Sequence, residues 1–92
     1  MAIVLIPAPY RGPTRGEDRL ESAGATIGAC LEDLERSNPG LRDLVVDSAS
    51  GGVHRFVKLV LNGELLAREA AVLATPVAST DEIEILAAIG GG

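Results

Sequence analysis

The chain has 92 residues, and its 8 basic and 13 acidic side chains give a net charge of −5. One domain is the limit at this length, with one modest core and no deep private active site. A single cysteine excludes a disulfide framework and a four-thiolate metal site, and the acidic balance argues against nucleic acid.

Ala2 to Ile6 is a β-branched apolar run closed by Pro7, which predicts a buried first strand. It is too short for a signal core, and no stretch reaches the roughly 20 apolar residues of a membrane span. With an unpaired cysteine, this makes a cytoplasmic location the expectation. Residues 7–16 hold three prolines and two glycines and read as a loop. Asp18 to Ser22 reads as a short second strand pairing back on the first.

Thr26 is placed to N-cap a helix. Ile27, Cys30, Leu31 and Leu34 then form one apolar stripe. Glu32 and Arg36 have the i,i+4 spacing of a favourable pair. Asn38-Pro39-Gly40 ends the helix, and Leu41 to Val45 allows one further turn. Gly24 to Gly28 lacks the lysine of a phosphate-binding loop and reads as turn chemistry.

Phe56 to Leu61 is the clearest strand. Asn62-Gly63 follows it as a type I′ hairpin turn, and Glu64 to Leu66 returns. Residues 67–80 are Ala-rich and irregular. Glu82 to Leu86 alternates polar and apolar, with Ile83 and Ile85 facing inward. An early hairpin, a crossover helix and a last apolar strand together predict an α+β, β-grasp (ubiquitin-like) fold. In it a mixed sheet of four to five strands cups one main helix, and the first and last strands pair in parallel at the centre. A ferredoxin-like sandwich would need a second full helix, and residues 67–80 carry no 3.6-residue stripe for one. The predicted division is a β-grasp domain over 1–86 and a flexible tail over 87–92.

Side chains suited to catalysis are scarce: one His, one Cys and one Lys. His54 reads as a loop histidine with a local hydrogen bond. Cys30, on the helix's apolar stripe, reads as an inert small hydrophobe. Asp81, Glu82 and Glu84 read as a solvated face. No metal site is expected.

The unusual feature is Gly90-Gly91-Gly92 after the last strand. Glycine has nothing to bury, so the run suits no packed element. It does suit a backbone threading a narrow channel, and residues 87–92 fully extended span about 20 Å. A terminal carboxylate is ionised and a poor electrophile at neutral pH. Activating it needs a second protein that brings ATP.

Taken in order, these segments resemble the ubiquitin-like sulfur carriers of the MoaD/ThiS type, and among them the CysO-like members. The segments are Gly24-Ala-Thr-Ile-Gly-Ala29, Leu31-Glu-Asp-Leu34, Val53-His-Arg-Phe-Val57, Val60-Leu-Asn-Gly63 and Asp81-Glu-Ile-Glu-Ile-Leu86, ending at Gly91-Gly92. The resemblance covers nearly the whole chain and is weakest over 7–20. It implies the same β-grasp fold. It also implies that Gly92 carries the adenylate and then the thiocarboxylate, that Gly91 gives the backbone clearance, and that Gly90 adds freedom. Many relatives have Pro where this chain has Ala87, which bears on which activating enzyme accepts it.

The implied partners are an E1-like adenylating enzyme of the MoeB/ThiF type and a sulfur acceptor such as a PLP-dependent cysteine-synthase-like protein. A metalloprotease that releases product is a third. The chain itself would bind no cofactor, ATP being used by the activating partner. Docking is expected on the sheet face near the tail, through Phe56, Lys58 and Val60, with Ile89 beside them, if the even-numbered residues of that strand face outward. The rival placement puts Phe56 in the core. Two other functions share these features: a protein modifier joined to lysines, with Lys58 as the only internal lysine, and a non-covalent β-grasp binding module.

Overall fold

The structure, a computed structural model, describes residues 1–67 and 69–87. Five strands form one sheet: β1 (Ala2–Leu5), β2 (Arg19–Ser22), β3 (Val57–Leu61), β4 (Glu64–Leu65) and β5 (Glu82–Ala87). Their spatial order is β2-β1-β5-β3-β4. β1 and β5 run parallel at the centre, and the other neighbours are antiparallel. Helix α1 (Ile27–Ser37) crosses one face, followed by the short α2 (Leu41–Val45). This is the β-grasp arrangement, with a mixed sheet around one main helix.

The core follows from two periods. In α1 the buried residues are Ile27, Cys30, Leu31 and Leu34, the stripe that a 3.6-residue repeat puts on one side. In the sheet, alternate residues Val4, Val57, Leu59, Ile83 and Ile85 are buried against that stripe. Thr26 Oγ1 accepts the Ala29 N–H at 3.0 Å and so caps the helix. Asn62 and Gly63 both have positive φ, 51° and 85°, as the two-residue hairpin requires.

Several boundaries and pairings differ from expectation. β2 begins at Arg19, β4 ends at Leu65 and β5 runs on to Ala87. β3 begins at Val57, because Arg55 and Phe56 form a turn. Arg36 pairs with Asp33 at 2.7 Å rather than with Glu32. Ser22 Oγ also donates to the Asp33 carboxylate (2.9 Å), which keeps that acceptor within reach of Arg36. Glu35 turns to the next helix, accepting the N–H groups of Gly40 and Arg42, each at 2.9 Å.

The stretch 67–80 is more ordered than its composition suggests. Ala70–Ala74 is a 3-10 turn that buries Val72. Beyond it, Thr75 O accepts the Ile27 N–H (3.1 Å) and Ala25 O accepts the Val77 N–H (2.9 Å). The start of α1 is thus tied to this segment, which supplies one of the acceptors that a helix N-terminus lacks.

Three partly exposed carboxylates sit below their ordinary pKa in the folded chain. Arg36 and then Ser22 lower Asp33, the Gly40 and Arg42 amides lower Glu35, and the Ala78 amide followed by Asn62 lowers Asp81. A depressed carboxylate stabilises the fold above its unfolded pKa and loses that contribution as pH falls through the folded one. Stability is therefore expected to be flat near neutrality and to decline below about pH 5. Urea midpoints measured across pH should show this slope, and Glu35→Gln should make it shallower.

Candidate functional site at the end of the last strand

The parallel β1–β5 pair sets where the chain leaves the sheet. Ala87 is the last described residue, opposite Val57 of β3. The expected working residues Gly90, Gly91 and Gly92, with Ile89, lie outside the described residues. What the structure defines is the surface at their root.

That surface is the sheet face turned away from α1. Register puts Lys58 opposite Leu86 and Val60 opposite Glu84 on β3 and β5. Leu65 lies opposite Val60, Leu5 opposite Glu84, and Ile3 opposite Glu82. Their partners in alternation, Val57, Leu59, Ile83 and Ile85, are buried, so these residues face out. Leu65 is 59% exposed, Phe56 51% and Leu86 38%, while Ile3, Leu5 and Val60 are half-buried. Phe56 is thus outside the core. The Arg55 guanidinium lies 5.4 Å from its ring centroid, within cation–π range.

Of the expected docking residues, the structure therefore puts Lys58 and Val60 on the open side and leaves Phe56 exposed in the turn before β3. It adds Ile3, Leu5, Leu65 and Leu86, which the sequence reading left out. Their signal was parity: Leu86 is two residues from Glu84, and so shares its face. Glu21, Glu82 and Glu84 are exposed on the same side, so acidic groups stand among the apolar ones, with Glu84 between Leu5 and Val60.

The remaining polar groups serve local structure. His54 Nε2 lies 2.8 Å from the Asp43 carbonyl oxygen, to which its N–H donates a hydrogen bond. Cys30 is fully buried. Among the described residues no three His, Cys, Asp or Glu side chains converge as metal ligands. No helix among them is long and apolar enough to cross a membrane.

The ThiS family matches residues 4–92. The chain belongs to the ThiS family. It is 38% identical over 90 residues to the sulfur carrier protein CysO of Mycobacterium tuberculosis (strain ATCC 25618 / H37Rv), covering 97% of this chain and 96% of that protein. The crystal structure of M. tuberculosis CysO superposes with a TM-score of 0.85 at 36% identity, covering 97% of this chain and all of that one. A chain from the Amycolatopsis orientalis BexX/CysO complex gives 0.84 at 29% identity, with full coverage of both. The small archaeal modifier protein 1 of Methanosarcina acetivorans gives 0.79 at 23% identity over 99% of this chain and 95% of that one, and shares the fold. The resemblance read from the ordered segments is thereby established as family membership.

Proposed function

We propose that this ThiS-family chain is a sulfur carrier and a co-substrate of other enzymes. The Gly92 carboxylate attacks the α-phosphate of ATP held by an E1-like partner, releasing pyrophosphate and leaving an acyl-adenylate. Hydrosulfide from a sulfur donor then attacks the same carbonyl carbon, AMP leaves with the bond to its phosphate oxygen broken, the S–H proton goes to solvent, and the chain leaves as a thiocarboxylate. A sulfur acceptor in biosynthesis, of cysteine or a related metabolite or cofactor, takes the sulfur. The observation that carries this reading is the similarity to CysO over nearly the full length, with a family match that extends through Gly91 and Gly92.

The chain's own contribution is presentation. β5 fixes the root of the tail, and glycine at 91 and 90 leaves no side chain to obstruct a channel. The open face gives the partner an apolar surface with Phe56 as an aromatic anchor. A CysO from A. orientalis has been solved in a complex with BexX, which supports work in a protein complex here as well.

The test is intact-mass measurement after incubation with a MoeB/ThiF-type enzyme, ATP and a sulfur donor. The expected gain is that of one oxygen replaced by sulfur. Neither adenylate nor thiocarboxylate with any activator tried would reject the proposal. Phe56→Ala is expected to raise the carrier's KM for the activating enzyme roughly tenfold, the effect of a modest anchor. Its stability should stay within about 0.5 kcal/mol, because the ring is outside the core. Steady-state kinetics and a urea titration check the two halves.

A further inference from the structure

The open face of the sheet is graded in charge along its strands. Register sets three rows across it. Nearest the root of the tail, Leu86 stands beside Lys58. The next row is Arg19, Leu5, Glu84, Val60 and Leu65, with one charge of each sign. The far row is Glu21, Ile3 and Glu82, with two carboxylates and no cation. All five charged side chains of the three rows are exposed. None of them is ion-paired, since the one salt bridge among the described residues joins Arg36 to Asp33. At the tail end Arg55 adds a second cation, exposed in the turn before β3. Arg11 and Asp18 both line the hollow between Leu5 and Leu86 and offset each other. Glu82 lies four residues before Leu86 on β5, so the outer rows are about 13 Å apart. That exceeds the screening length of about 8 Å at physiological salt. The two ends of the face therefore act as separate poles, basic by the tail and acidic away from it.

We propose, resting on the reading that an E1-like enzyme activates this chain, that the grading fixes the direction in which the carrier docks. The partner surface it fits is apolar in the middle. It carries carboxylates beside the mouth of the tail channel, to meet Lys58 and Arg55. It carries guanidinium or ammonium groups roughly 13 Å away, to meet Glu21 and Glu82. Complementary charges of this kind steer the encounter and fix its register more than they add affinity. The apolar middle cannot set a direction, because hydrophobic contact is non-directional. Turned by half a circle on the same surface, the carrier would set carboxylates against carboxylates and cations against cations. The chain beyond Ala87 would then start from the wrong side of the channel. The grading thus penalises the apolar docking that cannot react.

A second copy fits less well. Two faces laid antiparallel would also match pole to pole, but each chain carries a net charge of −5, and the pair would form against that repulsion. The control for net charge lies on the helix side of the molecule. Glu32 of α1 is exposed there, and so is Glu69, which precedes the Ala70–Ala74 turn packed on α1.

The test is the initial rate of thiocarboxylate formation with the activating enzyme, ATP and a sulfur donor, followed by intact mass at about 0.05 M and about 0.5 M salt. The double variant Glu21→Lys with Glu82→Lys should raise the carrier's KM roughly twentyfold at the lower salt and keep kcat, and Lys58→Glu should raise it roughly fivefold. Both losses should shrink to within about twofold at the higher salt. Glu32→Lys with Glu69→Lys makes the same change in net charge and should stay within about twofold of the parent at either salt. All variants should keep the parent's thermal midpoint; if the Glu21 and Glu82 double variant fails to fold, Lys58→Glu alone decides. Equal losses in the two double variants would reduce the effect to net charge and overturn the proposal. So would losses that persist at the higher salt, or a free chain that dimerises until Glu21→Lys with Glu82→Lys is introduced. A parent chain that gains sulfur while the face variants match its KM overturns this proposal alone. A parent chain that gains none overturns the sulfur-carrier reading and this proposal with it.

Discussion

A chain lacking Gly91 and Gly92 is expected to unfold at the temperature of the full chain and to gain no sulfur at all. The two halves of this result have separate causes. The last strand pairing in the sheet is Ala87 with Val57, and the core residues all precede it. Removing residues 91 and 92 therefore leaves every described core residue in place. The proposed chemistry, in contrast, depends on one carbonyl carbon reaching a site inside another protein. A chain ending at Gly90 still has a terminal carboxylate, but it falls short by two residues, about 7 Å of extended backbone. A misplacement of only 1 Å can cost a reaction on the order of a hundredfold. Gly91→Val separates reach from clearance. It keeps the length and adds a branched side chain where the channel needs none, so a slow but nonzero thiocarboxylate yield is expected. Thermal melts and intact-mass time courses on the three chains check all of this.

The second large effect is expected at Gly24, through stability alone. A Cβ built there would collide with the backbone nitrogen of Cys30, and would lie 2.6 Å from the Ala29 carbonyl carbon and 2.7 Å from Cys30 Cα. All three are backbone atoms of the first turn of α1, so no side chain can swing aside. The turn must move, and it is held by the Thr26 cap and by Thr75 O on the Ile27 N–H. Gly24→Ala is expected to cost about 3 kcal/mol, the upper part of the range for overpacking. For a domain of this size that lowers the melting temperature by roughly 12–24 °C. Gly12→Ala is the control, since a Cβ at Gly12 meets nothing within 4 Å. It should change stability by less than about 0.5 kcal/mol.

Gly24 also marks how far the sequence could be read. Features set by neighbours in the chain were legible. The apolar runs of β1 and β5, the Thr26 cap and the Asn62-Gly63 turn each state their structure within a few residues, and the β-grasp order followed from them. Features set by contact between segments were not. Gly24 reads as turn chemistry until α1 is packed against it. The Ala70–Ala74 turn has no 3.6-residue stripe, because it buries Val72 in a 3-10 geometry. Arg36 had two acids in range, and the choice of Asp33 depends on Ser22 coming from β2. The site divides in the same way. The reading of Gly90 to Gly92 came from composition and lies outside the described residues. That Ile3, Leu5, Leu65 and Leu86 share a face with Lys58 and Val60 required the register of four strands.

The parallel pairing of β1 with β5 has a mechanical consequence. Parallel strands begin at the same end of the sheet, so the chain enters β1 at one end and leaves β5 at the other. Tension applied between Ala2 and Ala87 loads the β1–β5 ladder in shear, against all its hydrogen bonds together, instead of unzipping them one at a time. An enzyme drawing on the residues beyond Ala87 would pull on a strand clamped from both sides, by β1 and by β3. The chain beyond Ala87 is thus anchored in a seam that resists as a whole and not one bond at a time.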